Sequence, residues 1–181
     1  LAGELVRKAL ELGFRLVPYE DTAASKHTIN EREYAQAQNI NAILKKDSTA
    51  GILVYAGDWH IAEGATESRI PMASYFKIIS GIDPLTIDQA EMTEGSTNSY
   101  AALYYDTWIK LHPAVSPVVA MLDNLPYDPF ETNLYDIHVI HPPARYNNGR
   151  PVWMAMNGMK KETPVAPAYR SLFMVQAYYD K

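Results

Sequence analysis

Apolar positions in the first ninety residues switch repeatedly between helical and strand-like spacing. Leu1, Leu5, Ala9 and Leu12 share one helix face, and Gly13 is a natural stop for it. The β-branched and aromatic run FRLVPYE, residues 14–20, reads as a strand ending near Glu20. After the polar loop DTAASKH, Thr28 and Glu31 have the spacing of a capping box, which predicts a helix through NEREYAQAQNINAILKK. Ala37, Ile40 and Leu44 supply its core stripe, and Lys45 and Lys46 suit its negative end. GILVYAG, residues 51–57, reads as a buried strand and DWHIAEGATESRI as a loop. A helix through MASYFKIISG, stopped by Gly81, then leads to a third strand, PLTIDQ. This order predicts an α/β fold: a parallel-sheet, three-layer core of order α-β-α-β-α-β with right-handed crossovers.

The pattern changes beyond residue 90. EMTEGSTNS reads as a loop, and YAALYYDTWIKLH as one amphipathic helix ending before Pro113. Pro-punctuated segments follow: SPVVAML, LYDIHVI, RPVWMAM and LFMVQAY. They predict a mixed or β-rich C-terminal region of short, antiparallel or edge strands packed on the first part. The composition shift near 91–99 divides the chain into 1–90 and 91–181. The opening helix begins in mid-architecture, so an upstream part is expected to be missing.

Composition narrows the function classes. The chain has 181 residues, 48% apolar and 20% charged, which is globular composition. A net charge of −5 without a basic run leaves nucleic-acid binding no electrostatic footprint. Apolar stretches are too short for a transmembrane segment or a signal-peptide core. The absence of cysteine removes disulfides, thiolate nucleophiles and thiolate zinc sites.

In open α/β sheets ligands gather at the carboxyl ends of the strands. The predicted topology brings Glu20 and Asp21, then Asp58, His60 and Glu63, then Asp88 and Gln89 to that rim, with Arg32 in the first turn of the following helix. His60 has the chemistry of a general acid or base or of a metal ligand; the alternative is a hydrogen-bonded structural histidine. Glu63 reads as a second ligand, an orienting partner or a solvated loop acid. Arg32 reads as a carboxylate or phosphate clamp, or as a surface charge paired with a nearby acid. Arg32, Gln36 and Asn39 line up as a polar stripe beside the apolar one. His138 and His141 have a three-residue spacing used by metal sites, but on a strand that spacing points them to opposite faces. Thirteen tyrosines against four phenylalanines point to a polar-rimmed binding surface or a contact with another subunit. No serine-esterase elbow, dinucleotide fingerprint or P-loop occurs.

One stretch resembles a known group. EREYAQAQNI followed by GILVYAGDWHIAEG is similar to the second half of the erythromycin esterase/ChaN/TraB–Tiki superfamily, whose members carry an Arg-containing helix and then a strand running into Gly-x-x-His. The matching positions are Glu31, Arg32, Ala37 and Ile40, then Gly57, Asp58, Trp59 and His60, within residues 14–65. With 9 glycines and 5 histidines in 181 residues, Gly-x-x-His arises by chance about 0.25 times, so the weight rests on the order of the parts. Glu33 stands where the group has Asp, and Gln36 where it has Met.

The resemblance implies the C-terminal half of a hydrolase-like domain, acting on an ester or peptide bond of a small molecule or peptide. A divalent metal would assist. His60, Arg32 and Glu63 would be catalytic, His60 and Arg32 as an assisting pair to a principal base in the upstream half, with His60 the metal ligand where one is used. Glu20, Asn39, Asp58 and Trp59 would line the substrate. It also implies an exported, periplasmic setting, with the cytoplasm as alternative. The rival readings are a non-enzymatic haem- or metal-binding protein of ChaN type, and a structural, homo-oligomeric assembly protein with a decayed site.

Overall fold

The computed structural model describes residues 2–23, 26–147 and 150–152. The chain mixes helices with small sheets and divides into two compact units. One comprises Leu1–Asp88 with Met121–His138, the other Gln89–Ala120 with Val139–Lys181.

The first unit opens with α1 (Ala2–Glu11), closed by Gly13 at φ 85. Helix α2 (Ile29–Lys46) starts at the expected capping box, in which Thr28 accepts from the Glu31 backbone and the Glu31 carboxylate accepts from Thr28. Helix α4 (Met72–Ser80) ends where Gly81 adopts the left-handed conformation, φ 72, and donates its N–H to the Lys77 carbonyl. Between them lies a short helix, α3 (Asp58–Ile61), in the stretch expected to be loop. Ala37 and Ile40 of α2 pack against Met72 and Phe76 of α4. Tyr19, Leu44, Val54, Ala56, Tyr75 and Ile79 surround that cluster. The stripe read from the sequence is therefore the core.

The expected strands fare differently. Only the third forms, as β1 (Ile87–Asp88), paired in parallel with Ile137–His138 of β5 (Ile137–Ile140). Residues 14–20 and 51–57 carry no strand pairing among the described residues. Their link is a side-chain one, the Tyr19 hydroxyl donating to the Tyr55 carbonyl at 3.1 Å. A strand is defined by its neighbour, and here Leu16, Leu53 and Tyr55 are exposed instead of sandwiched. The unit also holds the hairpin β3 (Met121–Leu122) and β4 (Leu125–Pro126). Its two turn residues, Asp123 and Asn124, both sit at positive φ, as a two-residue hairpin matching strand twist requires.

In the second unit, α5 (Ser99–Leu111) is capped by Asn98, whose side chain accepts from the Tyr100 and Ala101 backbones. It ends before Pro113, as the sequence indicates. Strand β2 (Val118–Val119) pairs antiparallel with Val139–Ile140, and β6 (Tyr146–Asn147) with β7 (Arg150–Pro151). Among the described residues Met92, Ala101, Tyr105, Ala120 and Ile140 are its buried apolar ones. Trp153, the remainder of RPVWMAM, and LFMVQAY lie outside the described residues. Among the described residues no helix is long and apolar enough to cross a membrane.

Candidate functional site

Helix α2 carries a carboxylate on its buried face. Glu33 is one turn before Ala37 and two before Ile40 on the same stripe, and it is fully buried. Burial of an anion is costly unless every lone pair is answered. Here four donors converge on its two oxygens. His60 Nδ1 lies 2.8 Å from Oε2, and the Met72 backbone N–H donates to the same oxygen at 2.9 Å. Arg69 donates to Oε1 through Nε at 3.1 Å and also through Nη2. The Met72 N–H belongs to the first residue of α4, whose N-cap position is Pro71 and offers no side-chain cap; Glu33 supplies that cap from another helix. Burial pushes the Glu33 carboxyl up, but hydrogen bonds and charge from His60 and Arg69 outweigh it and hold it below its ordinary value.

An ionised carboxylate only accepts, so the Nδ1 that faces Glu33 carries a proton. In the neutral imidazole Nε2 then holds the lone pair. The His60 side chain is 22% exposed against 0% for Glu33, so the ring joins a buried anion to the surface. Arg69 lies 5.9 Å over the ring of the half-exposed Trp59, which borders the site. A carboxylate-oriented imidazole with its lone pair on Nε2 can accept a proton from water or bind an electrophile.

The other expected site residues fall into two further clusters. Arg32 clamps Glu20 in a bidentate pair, Nε to Oε1 at 3.0 Å and Nη2 to Oε2 at 2.6 Å. Gln36 donates to Glu20 at 2.8 Å, and Asn39 to the Tyr19 carbonyl at 3.0 Å. The polar stripe of α2 thus fastens residues 19–20 to the helix. The Arg32 hydrogen bonds, with help from Gln36, bring the Glu20 carboxyl down to about 2. Glu63 stands apart from these groups. It accepts from the Thr86 hydroxyl at 2.8 Å and faces Lys77 at 3.5 Å. Asp136, which accepts from the Thr86 backbone at 2.7 Å, shares that hydroxyl. Burial, and then the nearby Asp136 and Asp83 charges, raise the Glu63 carboxyl above its ordinary value. Asp58 opens α3 beside Trp59 and His60.

Two residues of the His60 site escape a reading of the sequence. Glu33 had a signal, a charge on the apolar stripe of α2. Arg69 had none, because its role depends on how the loop before α4 returns to α2. Among the described residues no pair of further imidazole or carboxylate ligands gathers at His60 to complete a metal site. No family profile, curated protein or solved structure matches the chain.

Proposed function

We propose that this chain is a hydrolase of ester or peptide bonds in which His60 is the acid–base residue. The observation that carries this reading is the buried Glu33 carboxylate on His60 Nδ1. It fixes the tautomer, orients the ring and stabilises the imidazolium that forms when Nε2 takes a proton from water. The water oxygen then adds to the carbonyl carbon. His60 returns the proton to the leaving alcohol or amine as the bond breaks. Arg32, which the resemblance implied to be catalytic, is held in its own bidentate pair with Glu20 and takes no part in this step. Trp59 and Asp58, which share α3 with His60, are the substrate-side residues of this reading; Asn39 holds the Tyr19 carbonyl instead.

The reading extends to the fold. In it α1, residues 14–20, α2, residues 51–57, α4 and β1 correspond to the α-β-α-β-α-β order of a three-layer parallel core. The parallel pairing of β1 supports it.

The test is hydrolysis of short-chain aryl esters and fluorogenic peptides by the wild type and by His60→Gln. Loss of a general base lowers kcat/KM by roughly 100- to 10,000-fold, while the Gln NH₂ can still donate to Glu33, so the fold is retained, as circular dichroism checks. Equal activity in the two proteins would remove His60 from the chemistry. A haem band or stoichiometric metal lost with His60 would favour the binding-protein reading instead.

A further inference from the structure

A second histidine–carboxylate arrangement lies in the first unit and shares no residue with the His60 cluster. In the β1–β5 ladder Asp88 stands directly opposite His138. Asp88 is fully buried and His138 only 2% exposed. Asp88 Oδ2 lies 3.1 Å from His138 Nδ1. The imidazole is held edge-to-face by Phe130 at 5.1 Å and Tyr135 at 5.5 Å between ring centres, so its plane is set before any ligand arrives. Its other nitrogen, Nε2, is buried and has no hydrogen-bond partner. It faces Asp128 Oδ1 at 3.4 Å.

A buried imidazole nitrogen without a partner requires an explanation. The distance supplies one. Two ligands of one tetrahedral ion, each about 2.1 Å from it, are about 3.4 Å apart. That is the separation of Nε2 and Oδ1 found here. Asp128 is also prepared for the role. Its Oδ1 accepts from the Phe130 backbone at 2.8 Å, and its Oδ2 from the backbones of Thr132 at 2.8 Å and Asn133 at 2.9 Å. Those bonds fix the carboxylate and leave acceptor capacity on Oδ1. Asp88 then occupies the place of the carboxylate that orients nearly every metal-bound histidine through its other nitrogen. On the solvent side Asp128 lines an open depression with Asp123, Glu131, Asn133 and Tyr127, an acidic approach for a cation.

We propose that His138 Nε2 and Asp128 Oδ1 bind a divalent transition-metal ion, with Asp88 as the residue that positions the imidazole. One nitrogen and one carboxylate oxygen suit Zn²⁺, Co²⁺, Mn²⁺ or Fe²⁺, whereas Ca²⁺ and Mg²⁺ prefer all-oxygen shells. Water completes the coordination. The site is independent of the hydrolase reading, since none of its residues is a partner of His60.

The test is titration of the untagged full chain with Co²⁺, followed by visible absorption, and with Zn²⁺, followed by calorimetry. Wild type binds one equivalent and gains thermal stability with added metal. Asp128→Asn abolishes that binding, and Asp88→Asn weakens it about 10- to 100-fold. His60→Gln leaves it intact. Asp128 is partly exposed and Asn keeps its shape, so Asp128→Asn disturbs the fold less than His138→Gln at a buried ring, and circular dichroism checks that it is retained. Absence of saturable binding, or binding that survives Asp128→Asn, overturns the proposal. Binding lost with His60→Gln but kept in Asp128→Asn would also overturn it, and would place the ion at the other histidine.

Discussion

Glu33→Gln is the substitution that separates the structural and chemical roles of the buried carboxylate. The amide has the same shape but only one acceptor oxygen. If that oxygen stays with Arg69, the amide NH₂ faces the Met72 N–H, which then has no acceptor. A buried backbone donor left unpaired costs about 1–3 kcal/mol. Arg69 also loses its anion. Breaking a fully buried ion pair costs about 3–5 kcal/mol, but the Arg69 side chain keeps 22% exposure and recovers part of that from water. The sum is about 3 kcal/mol, or about 10 °C in Tm for a chain of this size. If the amide turns over, its oxygen serves Met72 and His60 but its NH₂ then meets the Arg69 donors, which is no better. Chemical denaturation with the m-value compared between the proteins measures the loss. A change below about 1 kcal/mol at an unchanged m-value would refute the claim that four donors depend on one anion.

The same substitution acts on chemistry by a different route. A Gln NH₂ facing His60 favours the tautomer with the lone pair on Nδ1 and the proton on Nε2. That removes the base, an effect on the order of 10,000-fold where a carboxylate orients a catalytic imidazole. In the double variant Glu33→Gln/His60→Gln, activity should fall no further than in His60→Gln alone, because both changes remove one function. Additive losses would show that Glu33 acts on catalysis by a path other than His60.

Other perturbations have definite signs. Glu20 has a folded-state value near 2 against an ordinary 4.5, so the stability it contributes is full above about 4.5 and is lost as pH falls toward 2. Arg32→Ala returns the Glu20 carboxyl toward its ordinary value, so its acid unfolding should be shallower across that window than that of wild type; Glu33, shifted down by His60 and Arg69, keeps its own contribution. Glu63 is shifted upward, so the stability tied to its protonated form is present below its ordinary value and lost as pH rises through its folded one. Glu63→Gln, whose amide can donate to Asp136, should raise Tm at pH 7 and leave it nearly unchanged at pH 4; a uniform shift at both would contradict the shared-hydroxyl geometry. Gly81→Ala meets no atom within 4 Å, so its cost is the left-handed backbone alone, about 1 kcal/mol by denaturation, with Gly81→Asn milder. Thr28→Ala, which removes the cap of α2, should cost about 1 kcal/mol as well.

The elements legible in the sequence are those whose determinants are local. The capping box at Thr28 and Glu31, the Gly81 stop and the end of α5 before Pro113 each depend on residues within one or two turns. The apolar stripe Ala37, Ile40 and Leu44 was legible because a helix needs no partner to define its face. Strands are different. Residues 14–20 and 51–57 have strand composition, yet pairing is a property of two segments, and a propensity cannot say that the second is there. The Asp123–Asn124 hairpin went unread although its turn residues are suited to positive φ, because the flanking strands are two residues each and too short for any alternation to show.

The candidate site divides along the same line. Placing His60 at the end of a strand-like run needed only chain order. Its partner needed tertiary geometry, and the residue that supplies it was noted in the sequence merely as Glu33 in place of an Asp. On the stripe of α2 a charge is permissible only if donors from elsewhere meet it, and they come from three places: His60 of α3, Arg69 of the preceding loop and the first N–H of α4. A buried acid on an apolar face therefore signals convergence even when its partners cannot be named. The same logic applies to Asp88, which closes a strand-like apolar run, is fully buried, and meets His138 across a parallel ladder fifty residues away. The sequence set His138 and His141 on opposite faces of a strand, and the ladder gives His138 its partner. In both places the informative residue is the buried carboxylate, because an anion out of water must be answered by positioned donors, and each answer here includes an imidazole.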